Sequence, residues 1–409
     1  MVGAKFGGMK VLVNAVSAKL GGAATYVRNL VRSLNELSAP DDRFIFLVPP
    51  ERAGEIATDG QRIRVLESRA ASGSYARRWW WDQVTLRRLV AQERPDVLFS
   101  SANFGMIACP CPQALLVRIP IYFSREYCEH VLPGKSAAFH AETALRRWLV
   151  CRSAGQADYV VTPSAAMLDD LQRYAHIPDG RARVIPYGVP RERISSDRVW
   201  QNRSVEPGRP LRILWVSHYA DHKDLATLLR AVQLLHECGT TPIELSLTLD
   251  AVSSDTPRGQ HTEMPGEERK LLGDLGDAVR YLGILNYDQV WHAYREADVF
   301  VFPSLCESFG HPLVEAMAAG LPVVASDIPI HQEICADAAR YFPVRDAQSL
   351  ATQLSLLAGD ATMRAEMARR GAVRVRGFVW EDHVSRLLAL FRELSGARTE
   401  RVAVAAHVA

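Results

Sequence analysis

A chain of 409 residues exceeds what a single hydrophobic core usually supports, so two domains of about 200 residues are expected. With 48% hydrophobic and 23% charged residues, its composition is that of an ordinary globular protein and excludes extended disorder. A formal charge of +2 gives no general drive toward nucleic acid or an anionic membrane, and seven scattered cysteines without paired zinc-type spacing point to free thiols in a reducing compartment.

The first apolar run, Val11 to Val16, is broken by Asn14 and too short for a signal segment; KVLVNAV reads as a first strand. A helical pattern follows from Thr25 to Leu37, then strand FIFLV at 44–48. In RRWWWDQVTLRR, residues 77–88, Trp80, Val84 and Arg87 to Leu89 fall at helical spacing, which predicts a helix laying its tryptophans into the core rather than on lipid or nucleic acid. Strands DVLFS (96–100), ALLVRI (114–119), YVVTPS (159–164) and RVIPYGV (183–189) complete a first α/β domain, residues 1–190. Residues 191–210 are polar and arginine-rich, the composition of a linker.

The alternation restarts with LRILWVS at 211 and runs through a helix from Leu225 to Cys238, strand IELSLTL, a polar loop from Ser253 to Pro265, and strand VRYLG at 279–283. A helix from Tyr287 to Ala297 follows, then strands VFVFPS (299–304) and PVVAS (322–326) around a short helix, giving a second domain over 211–378. Residues 379–397 hold a last helix, Glu381 to Leu394, expected to cross back to the first domain; 398–409 form a tail. Such alternation predicts an α/β chain of two Rossmann-like, doubly wound parallel sheets with a cleft between them. No window approaches 18 uninterrupted apolar residues, so no membrane-spanning helix is expected, and a cytoplasmic location follows, with peripheral attachment to the inner face of a membrane left open.

The most informative stretch is VFVFPSLCESFGHPLVEAMAAGLPVVAS, residues 299–326. A buried strand ends at Ser304, Pro312 fits the first turn of a helix, and Gly320 stops it. Unpaired amides around Phe309 to Leu313 then emerge at the C-terminal edge of a parallel sheet, where anions bind. Ser308, Phe309, Gly310, His311 and Leu313 are accordingly read as donor-binding positions. Glu307 and Glu315 bracket this loop and repel a diphosphate, so sugar and ribose hydroxyls are their expected partners. Lys223 in WVSHYADHKD, residues 215–224, lies just past a strand, where its ammonium reaches a phosphate and steadies the leaving diphosphate without a metal. Gly21 and Gly22, between the first strand and first helix, allow close backbone approach to a ligand. Asn103 in SSANFG is a candidate acceptor contact at a strand end.

At these residues the chain resembles the retaining family-4 glycosyltransferases of the GT-B fold, over nearly its whole length. Glu307-Ser-Phe-Gly-His-Pro-Leu-Val-Glu315, followed by AMAAGLPVVAS, is similar to that family's Glu-x7-Glu signature. LNYDQVWHAYREADVFVFPS, DHKDLATLLRA, VIPYGV and LGGAATYVRNLVRSL match in the same order. The resemblance implies that Glu307 lies near the transferred sugar, that Glu315 contacts the ribose, and that Phe309, Gly310 and Lys223 hold the diphosphate. It implies transfer from a nucleotide-diphosphate sugar to a hydroxyl of a glycan, lipid-linked or small-molecule acceptor with retention of configuration. Ser217-His218 stand where the family often carries Gly-Arg, which makes His218 a catalytic candidate and Ser217 a donor contact; Arg118 in LLVRIPIYF stands where a histidine is usual and is the candidate substitute at the acceptor.

His218 and His222 are four apart but follow a strand end with no third ligand nearby, so neither metal nor cofactor is expected. Two other functions fit the same scaffold: a nucleotide-sugar epimerase, and a non-catalytic member that binds a nucleotide sugar or glycan.

Overall fold

The structure, a computed structural model, describes residues 8–18, 22–54, 56, 61–69, 75–178, 180–194, 209–239, 242–249 and 264–408. The chain divides into two compact units, Met1–Phe123 with Lys135–Tyr187 and Trp380–Ala409, and Ser124–Gly134 with Gly188–Val379.

The first unit carries seven strands: β1 (Lys10–Asn14), β2 (Arg43–Val48), β3 (Ile63–Glu67), β4 (Val97–Ser100), β5 (Gln113–Leu116), β6 (Tyr159–Thr162) and β7 (Ala182–Val184). They form one parallel sheet in the order β3-β2-β1-β4-β5-β6-β7. Its helices are α1 (Gly22–Leu37), α2 (Pro50–Ala53), α3 (Tyr75–Glu93), α5 (Ala137–Gln156) and α6 (Ala165–Gln172), whereas α4 (Arg125–His130) belongs to the second unit. The central strands are near-continuous apolar runs because helices cover both faces of the sheet; Val11, Leu12 and Val13 have no exposed surface.

The expectation for the tryptophan-rich helix is corrected. The stripe of α3 that faces the sheet is Arg78, Asp82, Leu86 and Val90, while Trp80 is 57% exposed. Asp82 sets this phase. It accepts from Arg78 Nε at 2.9 Å and from Asn14 Nδ2, at the end of β1, at 3.0 Å. Burying that ion pair on the sheet turns Trp80 outward, while Trp81 packs on the core of Leu12, Leu86 and Leu98.

The second unit runs β8 (Leu211–Trp215), α7 (Leu225–Cys238), β9 (Ile243–Leu247), α8 (Gly266–Leu275), β10 (Val279–Tyr281), α9 (Tyr287–Glu296), β11 (Val299–Phe302), α10 (His311–Ala318), β12 (Val323–Ser326), α11 (Pro329–Cys335), β13 (Ala339–Phe342), α12 (Ala347–Gly359) and α13 (Ala361–Arg374). Its strands are parallel in the order β10-β9-β8-β11-β12-β13. Leu225, Leu228, Leu229, Val232 and Leu235 of α7 recur at helical spacing and meet Ile213 and Trp215 of β8 and Leu350 and Leu354 of α12. Side-chain oxygens of Asn286, Asp346 and Asp360 cap α9, α12 and α13.

The last helix, α14 (Trp380–Val408), counts with the first unit: Phe391 packs 5.3 Å from Phe99, and His383 Nε2 lies 3.2 Å from the Tyr26 hydroxyl. Among the described residues, no helix is long and apolar enough to cross a membrane. In both sheets the strand order reverses beside the first strand of the unit, between β1 and β4 and between β8 and β11. At such a reversal the flanking loops diverge to opposite faces and open a crevice at the C-terminal edge.

Candidate active site

In the second unit that crevice is bounded by the loop after β8 and the loop after β11. The first ends in a tight turn over Asp221–Lys223, with Lys223 N–H bonded to Ala220 O at 2.8 Å, before Asp224 in the left-handed region (φ 46°) starts α7. Aspartate tolerates that conformation better than most residues, and the Thr227 hydroxyl steadies its carboxylate at 2.7 Å. Burial pushes the Asp224 carboxyl up to about 6, against the opposing Thr227 bond. The two loops are stitched together at His222, whose carbonyl accepts Leu305 N–H at 2.7 Å.

This stitching brings Lys223 and Glu307 into a buried ion pair between Nζ and Oε1, with side-chain exposures of 10% and 14%. Ser304 Oγ donates to the same Glu307 oxygen at 2.8 Å, and the Lys223 ammonium lies 5.4 Å from the Phe302 ring centroid. Burial opposes ionisation of Glu307, but the Lys223 charge and the two hydrogen bonds outweigh it and hold its pKa below the usual carboxylate range. His222, pushed down to about 3 by burial and then by Lys223, is neutral; its ring meets Tyr127 of α4 edge-on at 6.2 Å. His218 is also lowered, first by the protein around it and then by Lys223. Ser217 is anchored through its backbone, its N–H donating to Thr248 Oγ1 and its carbonyl accepting from it, each at 3.0 Å.

The loop after β11 turns at Gly310 (φ 77°, ψ 57°), which caps α10, with Pro312 in the first turn. The opposite end closes through Gly320 (φ 75°), whose N–H bonds Met317 O at 3.0 Å while Leu321 N–H bonds Ala316 O at 2.8 Å. One expectation for the free amides is corrected: Leu313 N–H bonds Gly310 O at 2.9 Å, and Pro312 has no N–H, so neither offers a donor. Gly310 starts this helix, with Ser308, Phe309 and His311 beside it. The Phe309 ring is buried, 5.3 Å from His311 and 5.7 Å from Phe378.

Gly310 is required by its backbone and by space, since a Cβ there meets Leu313 Cδ1 at 2.9 Å. Gly310→Ala is therefore expected to lower stability by about 1–2 kcal/mol from the left-handed conformation alone. Gly54→Ala, at φ −72° with open space around it, is the control and stays within about 0.5 kcal/mol. Thermal unfolding of the two variants checks this.

Glu315 sits one turn into α10 and accepts from the Tyr294 hydroxyl of α9 at 3.1 Å. Among the described residues no cation is paired with it, and burial pushes its carboxyl up to about 7, the Tyr294 bond working against the rise. The two glutamates of the signature thus have opposite electrostatics, one fixed as a carboxylate and one poised near neutrality. Tyr294, Ser304, Ser326 and His331 complete this polar region and were not singled out from sequence; all four read as ordinary strand or helix positions there.

The first-unit candidates are placed differently. Gly21 lies outside the described residues, and Gly22 opens α1 with open space around its Cβ position, so packing does not demand a glycine. Asn103, at φ 65°, is buried, and its amide oxygen accepts Arg118 N–H at 2.7 Å and Ile119 N–H at 3.0 Å, a structural use of the side chain. The Arg118 guanidinium lies 5.4 Å from the ring centroid of Tyr26 and beside the buried Tyr187 hydroxyl. These two residues belong to the first unit, Lys223 and Glu307 to the second.

Two family models match consecutive parts of the chain: Glycosyltransferase Family 4 over residues 20–193 and Glycosyl transferases group 1 over residues 196–374, the second containing Lys223, Glu307 and Glu315. The chain belongs to the family-4 glycosyltransferases. The chain is 28% identical to the D-inositol 3-phosphate glycosyltransferase of Corynebacterium urealyticum over 94% of its own length and 93% of the relative's. It is 38% identical over 143 residues to the phosphatidyl-myo-inositol mannosyltransferase of Mycolicibacterium smegmatis, a match spanning 34% of this chain and 36% of that enzyme. Among solved structures, Anabaena HepE in complex with UDP-glucose superposes with a TM-score of 0.66 at 17% identity, covering 93% of this chain and 99% of HepE, which establishes the GT-B fold.

Proposed function

We propose that this glycosyltransferase takes a hexose from a nucleoside diphosphate and transfers it to a hydroxyl acceptor with retention of configuration, without a metal. The observation that carries this reading is the buried Lys223–Glu307 pair at the β8–β11 crevice, beside the start of α10. A diphosphate entering there meets a cation and the start of α10 at Gly310, while the Glu307 carboxylate, held by Ser304, faces the sugar hydroxyls as an acceptor of hydrogen bonds. Glu315, one turn deeper on α10, takes the ribose hydroxyls. Lys223 and the helix start favour the negative charge that grows on the departing diphosphate. The sugar C1–O bond breaks, the acceptor oxygen bonds C1 on the same face, and the acceptor proton passes to a phosphate oxygen. The named relatives act on inositol-containing molecules, which favours a polyol or its lipid conjugate as acceptor in glycoconjugate synthesis.

Calorimetry with UDP, GDP and ADP, followed by product analysis with UDP-glucose and GDP-mannose, tests this; binding of at least one nucleotide is expected, and binding of none overturns it. Proton NMR of the product reads the anomer, and an inverted product removes retention. Because Lys223 supplies the positive charge, turnover is expected to survive EDTA. Activity lost in EDTA and restored by magnesium contradicts the metal-free part.

A further inference from the structure

The polar chain at this sheet edge extends beyond Lys223, Glu307 and Ser304. The hydroxyl of Ser326, the last residue of β12, donates to the Ser304 carbonyl at 2.5 Å. His331 of α11 places Nδ1 2.9 Å from the Ser326 carbonyl and 3.1 Å from its hydroxyl. Ser304, Ser326 and His331 have no exposed surface, and the Phe302 ring lies 5.3 Å from the imidazole.

A carbonyl only accepts, so Nδ1 carries the imidazole proton and Nε2 is the bare acceptor. Among the described residues, Nε2 is buried with no hydrogen-bond partner. An enclosed acceptor without a donor is destabilising, and a leucine or phenylalanine at 331 carries no such penalty. Burial also pushes the imidazole down to about 4, so the ring contributes no charge. What histidine supplies and an apolar residue does not is the Nδ1–H. That proton fixes Ser326; Ser326 fixes the carbonyl of Ser304 on the neighbouring strand; and the Ser304 hydroxyl fixes Glu307. The paired strands β11 and β12 end together, Phe302 opposite Ala325, so this is the cross-link between their two loops.

We propose that His331 is a positioning residue for Glu307, acting through Ser326 and Ser304 and touching no substrate itself. The inference rests on Glu307 being the sugar-facing carboxylate of a nucleotide-sugar enzyme.

Four variants of the full chain test it: His331→Leu removes the donor, His331→Asn keeps an N–H near the place of Nδ1, Ile334→Ala loosens the same helix without touching the polar chain, and Ser304→Ala cuts the chain midway. With whichever of UDP-glucose and GDP-mannose the unaltered protein turns over, His331→Leu is expected to lower kcat about tenfold or more at unchanged KM, and His331→Asn to recover to within about threefold. Ile334→Ala is expected to lower Tm with kcat retained. In the Ser304→Ala background His331→Leu has little further effect, because both act through one path. An equal kcat loss from Ile334→Ala, or the same loss from His331→Leu in both backgrounds, overturns the proposal. A crystal structure of His331→Leu reads the position of Glu307 directly: displacement from Ser304 supports the relay, and an unmoved carboxylate overturns it. If the unaltered protein binds none of UDP, GDP and ADP, the donor reading fails, while that crystal structure still decides the relay.

Discussion

Lys223→Met is expected to lower turnover about 100- to 1,000-fold, the range for removing a preorganised group that stabilises transition-state charge. The same substitution leaves the Glu307 carboxylate buried without its cation, a change of about 3–5 kcal/mol where one partner of a buried pair is removed. Its pH dependence has a definite sign. In the intact protein the Glu307 pKa is depressed, so the stability it contributes is present above the ordinary carboxylate range and lost as pH falls through the depressed value. Without Lys223, burial dominates and raises that pKa, so the variant loses more stability at pH 8 than at pH 5. Lys223→Met combined with Glu307→Gln removes both charges and is expected to regain most of the lost stability while remaining inactive. Thermal melts at the two pH values, with turnover measured on the same preparations, check all three outcomes. Turnover within tenfold of the unaltered protein in Lys223→Met sinks the assignment.

Nucleotide affinity is expected to weaken by up to about tenfold per pH unit below pH 7, because Glu315 must be ionised to accept two ribose hydroxyls. Burial, opposed by the Tyr294 bond, pushes this carboxyl up to about 7, well above the ordinary carboxylate range. A raised carboxyl contributes stability below its unfolded value and loses it as pH rises through the folded one. Glu315→Gln should therefore raise Tm at pH 8, leave it unchanged near pH 4, and bind nucleotide more weakly at pH 8. The diphosphate itself titrates in this region, but it does so equally for both proteins. The difference between the two affinity profiles, measured by calorimetry from pH 5.5 to 8.5, isolates Glu315. Parallel profiles end the ribose assignment.

The elements most legible in the sequence were those whose pattern is dominated by burial on both faces. The α7 helix runs from Leu225 to Cys238 as its leucine spacing indicates, and β8, β11 and β12 fall within the apolar runs that announce them. Strands β3 and β13, whose half-exposed side chains dilute the apolar run, were not identified. The phase of α3 was misread for a different reason. A tryptophan has a higher apolar content than an arginine or an aspartate, but Arg78 and Asp82 are buried as a pair bonded to Asn14, and that pairing turned Trp80 to solvent.

The sequence by itself determined the two parallel α/β units, the turn at Gly310 that starts α10, and the identity of Glu307, Glu315 and Lys223 as a set of candidates. These follow from local rules: periodicity, proline and glycine punctuation, and short motifs whose residues lie near one another along the chain. Only the tertiary structure decided that Lys223 and Glu307, 84 residues apart, form a pair. It also separated the charge states of the two glutamates, engaged Asn103 with backbone, and joined His331 to Glu307 through two serines. Strand order places those groups together, and a carboxylate's proton affinity depends on the cations and the solvent that its neighbours in space leave to it.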